Sequence, residues 1–235
     1  MAAGGTVRPM RRYLVPALLL VLAACGGAAS SDGDDGGAAR STTTTAARAG
    51  GAFGALAARG REAEVRITYR SGGADGEFTV ARYRGDTFVS FGNDATYGVA
   101  GATITCQGSG RDAQCFELPG DTDLASAIVE SFFGGFAVLF DAVDDAGSRF
   151  AALEASTEPA TIAGRDAECA VLSADAFGSS GNVRVCLDRE TGALLRAGAA
   201  TGSGERLGLI EATSFRSATA EDVTPPASPQ PMPGV

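Results

Sequence analysis

From residue 65 onward the apolar residues fall on alternate positions, and they do so in one short run after another. "EVRITYR" places Val65, Ile67 and Tyr69 on one side, and "GEFTVARY" places Phe78 and Val80 likewise, with the glycines of "SGGADG" between them as a hairpin turn. "DTFVSFG", "ATYGV" and "ATITC" continue the pattern, and "FAALEAS", "ATIAG", "AECAVLS", "NVRVCLD", "ALLRAGAA" and "ERLGLIEATSF" resume it later in the chain. Short period-two runs joined by turn residues predict an antiparallel meander, because parallel strands need long crossover connections. The turn in "LDRETGALL" has its own chemistry. Asp188 is placed to accept from backbone amides, Gly192 to take a left-handed conformation, and Leu187 and Leu194 to flank it as a hairpin with a bulge.

Two segments break the alternation. "AARAGGAFGALAARG" predicts an N-terminal helix with Phe53 and Leu56 on one side and Gly60 as its stop. In "DTDLASAIVESFFGGFAVLFDAVDDAGSRF", Leu124, Ile128, Phe132, Phe136, Leu139 and Val143 recur at three- and four-residue steps, with Val129, Phe133 and Phe140 as a second row. That apolar surface is wider than a helix lying on one sheet face needs. Gly134 and Gly135 divide the segment into a helical pair. The predicted fold class is α+β: an antiparallel sheet with an N-terminal helix and an inserted apolar helical pair.

The compartment is read from "LVPALLLVLAAC". Its apolar run is far shorter than the roughly 20 residues a membrane-spanning helix requires. Arg8, Arg11 and Arg12 precede it without an acid, and small residues follow, which is the order of an export signal. Leu22-Ala23-Ala24-Cys25 resembles the bacterial lipobox, so residues 1–24 read as a lipoprotein signal peptide and Cys25 as the acylated first residue of the mature chain. Two acyl chains hold a protein to a membrane stably where one does not. The expected location is therefore the extracytoplasmic face of the cell membrane. Residues 25–45, rich in Gly, Ala, Ser, Asp and Thr, read as a disordered tether. A domain at 46–221 and a proline-rich disordered tail at 222–235 complete the expected organisation.

Cleavage before Cys25 removes three arginines and no acid, taking the formal net charge from −9 to −12. Such a surface is repelled by phosphate backbones, so no nucleic-acid partner is expected. In an exported chain the four remaining cysteines point to disulfides, for which three connectivities exist. "CQGSGRDAQC" and "CAVLSADAFGSSGNVRVC" each place two cysteines on opposite arms of a predicted hairpin, which makes Cys106–Cys115 and Cys169–Cys186 the economical pairing.

Absences narrow the chemistry further. Without histidine there is no Ser-His-Asp or Cys-His catalysis, and without lysine there is no Schiff base and no phosphate-loop lysine. No catalytic residue, metal ligand or cofactor is expected. A carboxylate pair such as Asp188 and Glu190 is the remaining enzymatic option, although turn chemistry already accounts for those two acids.

The order of lipobox, polar tether, helix and long antiparallel meander with inserted apolar helices resembles the envelope lipoproteins of the LppX and LprG type, related in fold to the lipoprotein carrier LolA. "TIAGRDAECAVL" and "VRVCLDRETGALLR" are similar to paired strands of actinobacterial lipoproteins of this sort. The resemblance implies a curved half-barrel sheet whose concave face, with the helices, encloses acyl chains. On that reading Tyr69, Phe78, Val80, Phe88, Phe132, Phe133, Phe136 and Phe140 are the candidate lipid-contacting residues. The partners implied are the membrane, through Cys25, and a lipid ligand. A protein-interaction or envelope-sensor module is the alternative.

Overall fold

The structure, a computed structural model, describes residues 43–72, 76–108, 110–119, 124–130, 132, 155–173, 181–201 and 206–231. The expected signal peptide, Cys25 and all but the end of the expected tether lie outside these residues, as do Phe133, Phe136 and Phe140. A helix, α1 (Thr43–Gly60), comes first and begins three residues before the predicted start. A first meander follows as β1 (Val65–Ser71), β2 (Glu77–Tyr83), β3 (Asp86–Phe91), β4 (Asp94–Val99), β5 (Ala102–Gln107) and β6 (Gln114–Glu117). Of the expected helical insertion, residues 124–130 and 132 are described and helical; they are called α2 here. The second meander is β7 (Ala155–Ile162), β8 (Arg165–Ser173), β9 (Gly181–Asp188), β10 (Leu194–Thr201) and β11 (Arg206–Ser217), followed by a 3-10 turn (Ala220–Val223) and a short β12 (Gln230–Pro231).

The twelve described strands form one sheet in the order β12-β6-β5-β4-β3-β2-β1-β11-β10-β9-β8-β7. The two meanders join at their centre, where β1 pairs antiparallel with β11. β7 runs unbroken through Pro159, where the sequence suggested two shorter runs. A proline is tolerated there because β7 is the last strand of the sheet among the described residues, an edge position that asks less of the backbone amide. The sheet is strongly curved: β7 touches β11 although three strands separate them, and the Arg165 guanidinium lies 4.7 Å from the centre of the Phe215 ring. Irregular registers between Thr68 and Tyr69 in β1 and between Leu194 and Arg196 in β10 supply local bends of the kind that curl a sheet.

Both cysteine pairs are disulfides, Cys106–Cys115 and Cys169–Cys186. Each joins residues directly opposite one another, on β5–β6 and β8–β9. α1 packs Phe53, Leu56 and Ala57 onto Leu172, Val185, Leu187 and Leu194 of the second meander.

The C-terminal segment corrects the expected tail. Val223 is 3% exposed and packs with Ala81, Phe88, Tyr97 and Ile104, while Gln230 and Pro231 pair in parallel with Phe116 and Glu117 of β6. Residues 218–231 are thus a strap across one face of the first meander. The prolines permit this because an extended two-residue pairing at a sheet edge asks for few donors.

Asp222 fastens the strap. Its carboxylate accepts from Arg216 Nη1 at 2.6 Å, from the Thr219 amide at 2.9 Å and hydroxyl at 3.1 Å, and from Arg66 Nη1 at 3.4 Å. The hydrogen bond from Arg216 leads the interactions that hold this carboxyl down at about 2, against an ordinary 3.8. Its contribution to stability is therefore present above about pH 4 and lost as pH falls towards 2. With Arg216 half exposed and the pair partly screened, Asp222→Asn is expected to lower stability at pH 7 by about 1–2 kcal/mol. The amides of 218–231 should lose protection in hydrogen exchange; unchanged exchange there would show that other contacts hold the strap.

Candidate ligand-contact face

The sheet face opposite the strap carries a row of aromatic rings. In the β1–β2–β3 register Tyr69 lies opposite Phe78, and Phe78 opposite Phe91. Their ring centroids are 5.1 Å and 5.4 Å apart, in stacked geometry. Aromatic residues facing each other across strands in this way favour the pairing beyond the area they bury. Phe132 of α2 closes over the row, 5.9 Å from Tyr69 and 5.3 Å from Phe78. Exposure rises along it, from 0% at Tyr69 through 7% at Phe78 to 43% at Phe91. The interior end is fixed by the Tyr69 hydroxyl, which donates to the Leu194 carbonyl at 2.6 Å. Burial pushes that phenol far above its ordinary value, so it remains protonated and a donor.

Polar contacts lay α2 across this face. The Leu124 amide donates to Thr103 Oγ1 of β5 at 3.1 Å, Ser126 and Thr87 of β3 share a hydroxyl hydrogen bond at 3.1 Å, and Glu130 pairs with Arg82 of β2. Ala125 and Val129, both at 0% exposure, supply the apolar underside. Within β2, strand alternation places Phe78, Val80 and Arg82 on the same face, so the apolar row ends in a guanidinium. Arg82 is only 6% exposed.

Of the eight candidate lipid-contacting residues, Tyr69, Phe78 and Val80 share this face and Phe132 covers it. Phe88 does not join them. Its position in β3 has the opposite parity to Val89 and Phe91, so its ring packs on the strap side, 5.0 Å from Tyr97 and beneath Val223. The sequence also holds Phe91 and Arg82, which are not among the expected residues: alternation along β2 puts Arg82 on the face of Phe78, and the register across the tight Arg84–Gly85 turn brings Phe91 there too.

Asp188 and Glu190 do approach each other, but through Arg165. The guanidinium makes paired hydrogen bonds to Asp188 at 2.9 and 3.0 Å and another to Glu190 at 2.6 Å. Such charge neutralisation suits a structural ion cluster. Among the described residues no group of three or more His, Cys, Asp or Glu side chains is placed to hold a metal ion. No described helix is long and apolar enough to cross a membrane. A cleft of about 340 Å³ lies beside α2, lined by Arg61, Glu64, Arg82, Arg84, Thr87 and Glu130 among others. A second, of about 430 Å³, lies between α1 and β7–β8.

No protein-family model matches this chain, and no curated protein matches it. Among solved structures it is similar to MucB, with a TM-score of 0.48 and 17% identity over 76% of this chain and 62% of that one. It is also similar to the MucA/MucB complex structure from Pseudomonas aeruginosa, with a TM-score of 0.45 and 18% identity over 74% of this chain and 59% of that one. A LolA superfamily protein from Nitrosomonas europaea gives a TM-score of 0.23 and 10% identity, over 73% of this chain and 96% of that one. The chain spans about three fifths of the length of the MucB structures it matches.

Proposed function

We propose that this is an extracytoplasmic lipoprotein of the LppX and LprG kind, anchored through acylated Cys25, whose domain binds an acyl chain on the sheet face covered by α2. It works without catalysis or cofactor. The observation that supports this reading is the aromatic row Tyr69–Phe78–Phe91, which leads from the fully buried interior to a half-exposed ring at the surface. Apolar contacts of this kind replace water around a hydrocarbon chain, at roughly 0.8 kcal/mol per methylene buried.

Native mass spectrometry of the exported domain carrying Cys25→Ala tests the proposal directly. Lipid-sized adducts are expected on the unmodified face. Phe91→Arg should remove them with the circular dichroism spectrum unchanged, because Phe91 is 43% exposed and its loss leaves the core intact. A protein-interaction module is the second reading, favoured by Phe91 and Leu124, which expose 43% and 45% of their surface. An adduct-free domain that also fails to bind added fatty acid would reject lipid binding in favour of that module.

A further inference from the structure

The cleft between α1 and β7–β8 has a volume that suits a small-molecule site, about 430 Å³. Phe53 and Leu56 of α1 form its apolar wall. Its polar rim comes from four separate elements: Thr157 of β7, Glu168 of β8, Arg59 in the last turn of α1, and Arg189 in the turn after β9. α1 and that turn meet at the rim, where Arg59 Nη2 donates to the Arg189 carbonyl at 3.3 Å, so both arginines border one opening. They are engaged differently. Arg189 donates from Nε, at 3.0 Å, and from Nη2, at 2.5 Å, to a single oxygen of Glu168, which neutralises it. Arg59 is exposed, and among the described residues its guanidinium meets no carboxylate, only that neutral carbonyl. The rim therefore carries a net positive charge in a chain whose formal net charge is −9.

We infer that this cleft binds a small carboxylic acid bearing an apolar group: the carboxylate pairs with Arg59 at the rim, and the apolar group lies against Phe53 and Leu56. A guanidinium suits a carboxylate because its planar fork donates two parallel hydrogen bonds. The single unneutralised charge favours a monoanion over a phosphate dianion, which would also face Glu168. Thr157 adds a hydroxyl on the β7 side. The site is separate from the face covered by α2 and does not depend on what binds there. Because Arg59 belongs to α1 and the opposite rim to the sheet, a bound acid also ties the helix to the sheet, and α1 becomes harder to open.

Isothermal titration of the mature chain carrying Cys25→Ala with phenylpropionate, phenylpropanol and acetate tests the inference. Phenylpropionate is expected to bind roughly tenfold or more tightly than phenylpropanol, since a charge-assisted pair is added to the same apolar contact. Acetate, which lacks the apolar group, should not saturate the site. Arg59→Gln should bring the acid down to the level of the alcohol, with the alcohol unchanged. Ala52→Phe, at an exposed position on the cleft wall, should fill the opening and abolish binding of both. Phe91→Arg should leave both affinities as they are. Phenylpropionate should slow hydrogen exchange in α1 of the parent, and do so far less in Arg59→Gln.

Equal affinity for acid and alcohol in the parent would overturn the inference, as would an Arg59→Gln variant that still prefers the acid. Acetate binding as tight as that of phenylpropionate would mean a free-anion site in place of this one. Binding that survives Ala52→Phe but is lost in Phe91→Arg would put the ligand on the face covered by α2 and reject the cleft. Failure of both aromatic compounds to bind would sink the inference and leave the acyl-chain reading untouched. Should Arg59→Gln not fold, the acid-to-alcohol ratio of the parent and the response of Ala52→Phe still decide.

Discussion

Replacing Gly192 by alanine is expected to lower the stability of the domain by about 3 kcal/mol or more and to loosen α1 from the second meander. Gly192 has φ +77° in the turn between β9 and β10, a conformation that costs an ordinary side chain about 1 kcal/mol. Steric overlap costs more. A Cβ at this position would sit 2.0 Å from the Leu56 carbonyl oxygen and 2.7 Å from the Gly60 nitrogen. From the other side, a Cβ on Gly60 would lie 2.4 Å from the Gly192 carbonyl oxygen. These are main-chain atoms, so no side chain can swing aside to relieve the contact. The last turn of α1 would have to lift, taking with it Phe53, Leu56 and Ala57, the residues through which α1 is packed.

Urea titration should show the loss, and hydrogen exchange should show it concentrated in α1. Gly192→Asn separates backbone strain from steric overlap, because asparagine tolerates positive φ but still carries a Cβ. It is expected to be nearly as damaging as alanine. A mild asparagine variant beside a severe alanine one would mean that backbone conformation dominates; if both are as stable as the parent, the close approach is not needed.

Asp188→Ala is expected to cost about 2–3 kcal/mol at neutral pH, because it removes a buried acceptor of several hydrogen bonds, while the Arg165 left behind is 30% exposed and keeps Glu190 as a partner. Asp188 is 1% exposed and accepts from Arg165 twice, from the Thr191 amide at 2.9 Å and from the Thr191 hydroxyl at 2.7 Å. Burial opposes ionisation of this carboxyl, but the hydrogen bonds from Arg165 and Thr191 outweigh it and hold the group below its ordinary value. A depressed folded value means that the stabilisation is complete above the unfolded value near 4 and disappears as pH falls through the folded one. Asp188→Asn should lose part of the stability at pH 7 and also flatten the acid limb of the pH profile. A variant whose urea midpoint falls with acid as steeply as the parent's would show that Asp188 does not set that limb.

The Asp188 turn is the part of the fold most readily read from sequence. Asp188, Gly192 and the flanking leucines do what local chemistry predicts, with Gly192 at positive φ and Leu187 opposite Leu194. Both disulfides are equally local, each closing one hairpin. Sequence and structure part where local signals are silent about distant partners. Nothing around Phe88 announces that the other side of its strand is also buried, because the strap covering it comes from residues more than a hundred positions later. The strap itself looks like a tail, since its prolines are conspicuous while its attachment depends on one small apolar residue, Val223, and one acid, Asp222, whose partner Arg66 is 156 residues away. On the candidate face, helical spacing foretells an apolar side for α2. The pairing of Glu130 with Arg82 is beyond it, because that depends on how the helix crosses the strands.

The central pairing of β1 with β11 sets the order in which the molecule can be assembled. Val65 lies opposite Ser217, so the middle of the sheet is made from the two ends of the domain, while each flanking meander is made from neighbours in sequence. A chain emerging from its N-terminus can complete β1–β6, with Cys106–Cys115, long before β11 exists. Its two most open edges at that stage are β1, waiting for β11, and β6, waiting for β12. Non-local closure of this kind is slow, and unpaired edges invite association with other chains. During that interval the first meander is a half-sheet with an adhesive strand at either side, and the domain's most vulnerable moment is the last one before its centre is sealed.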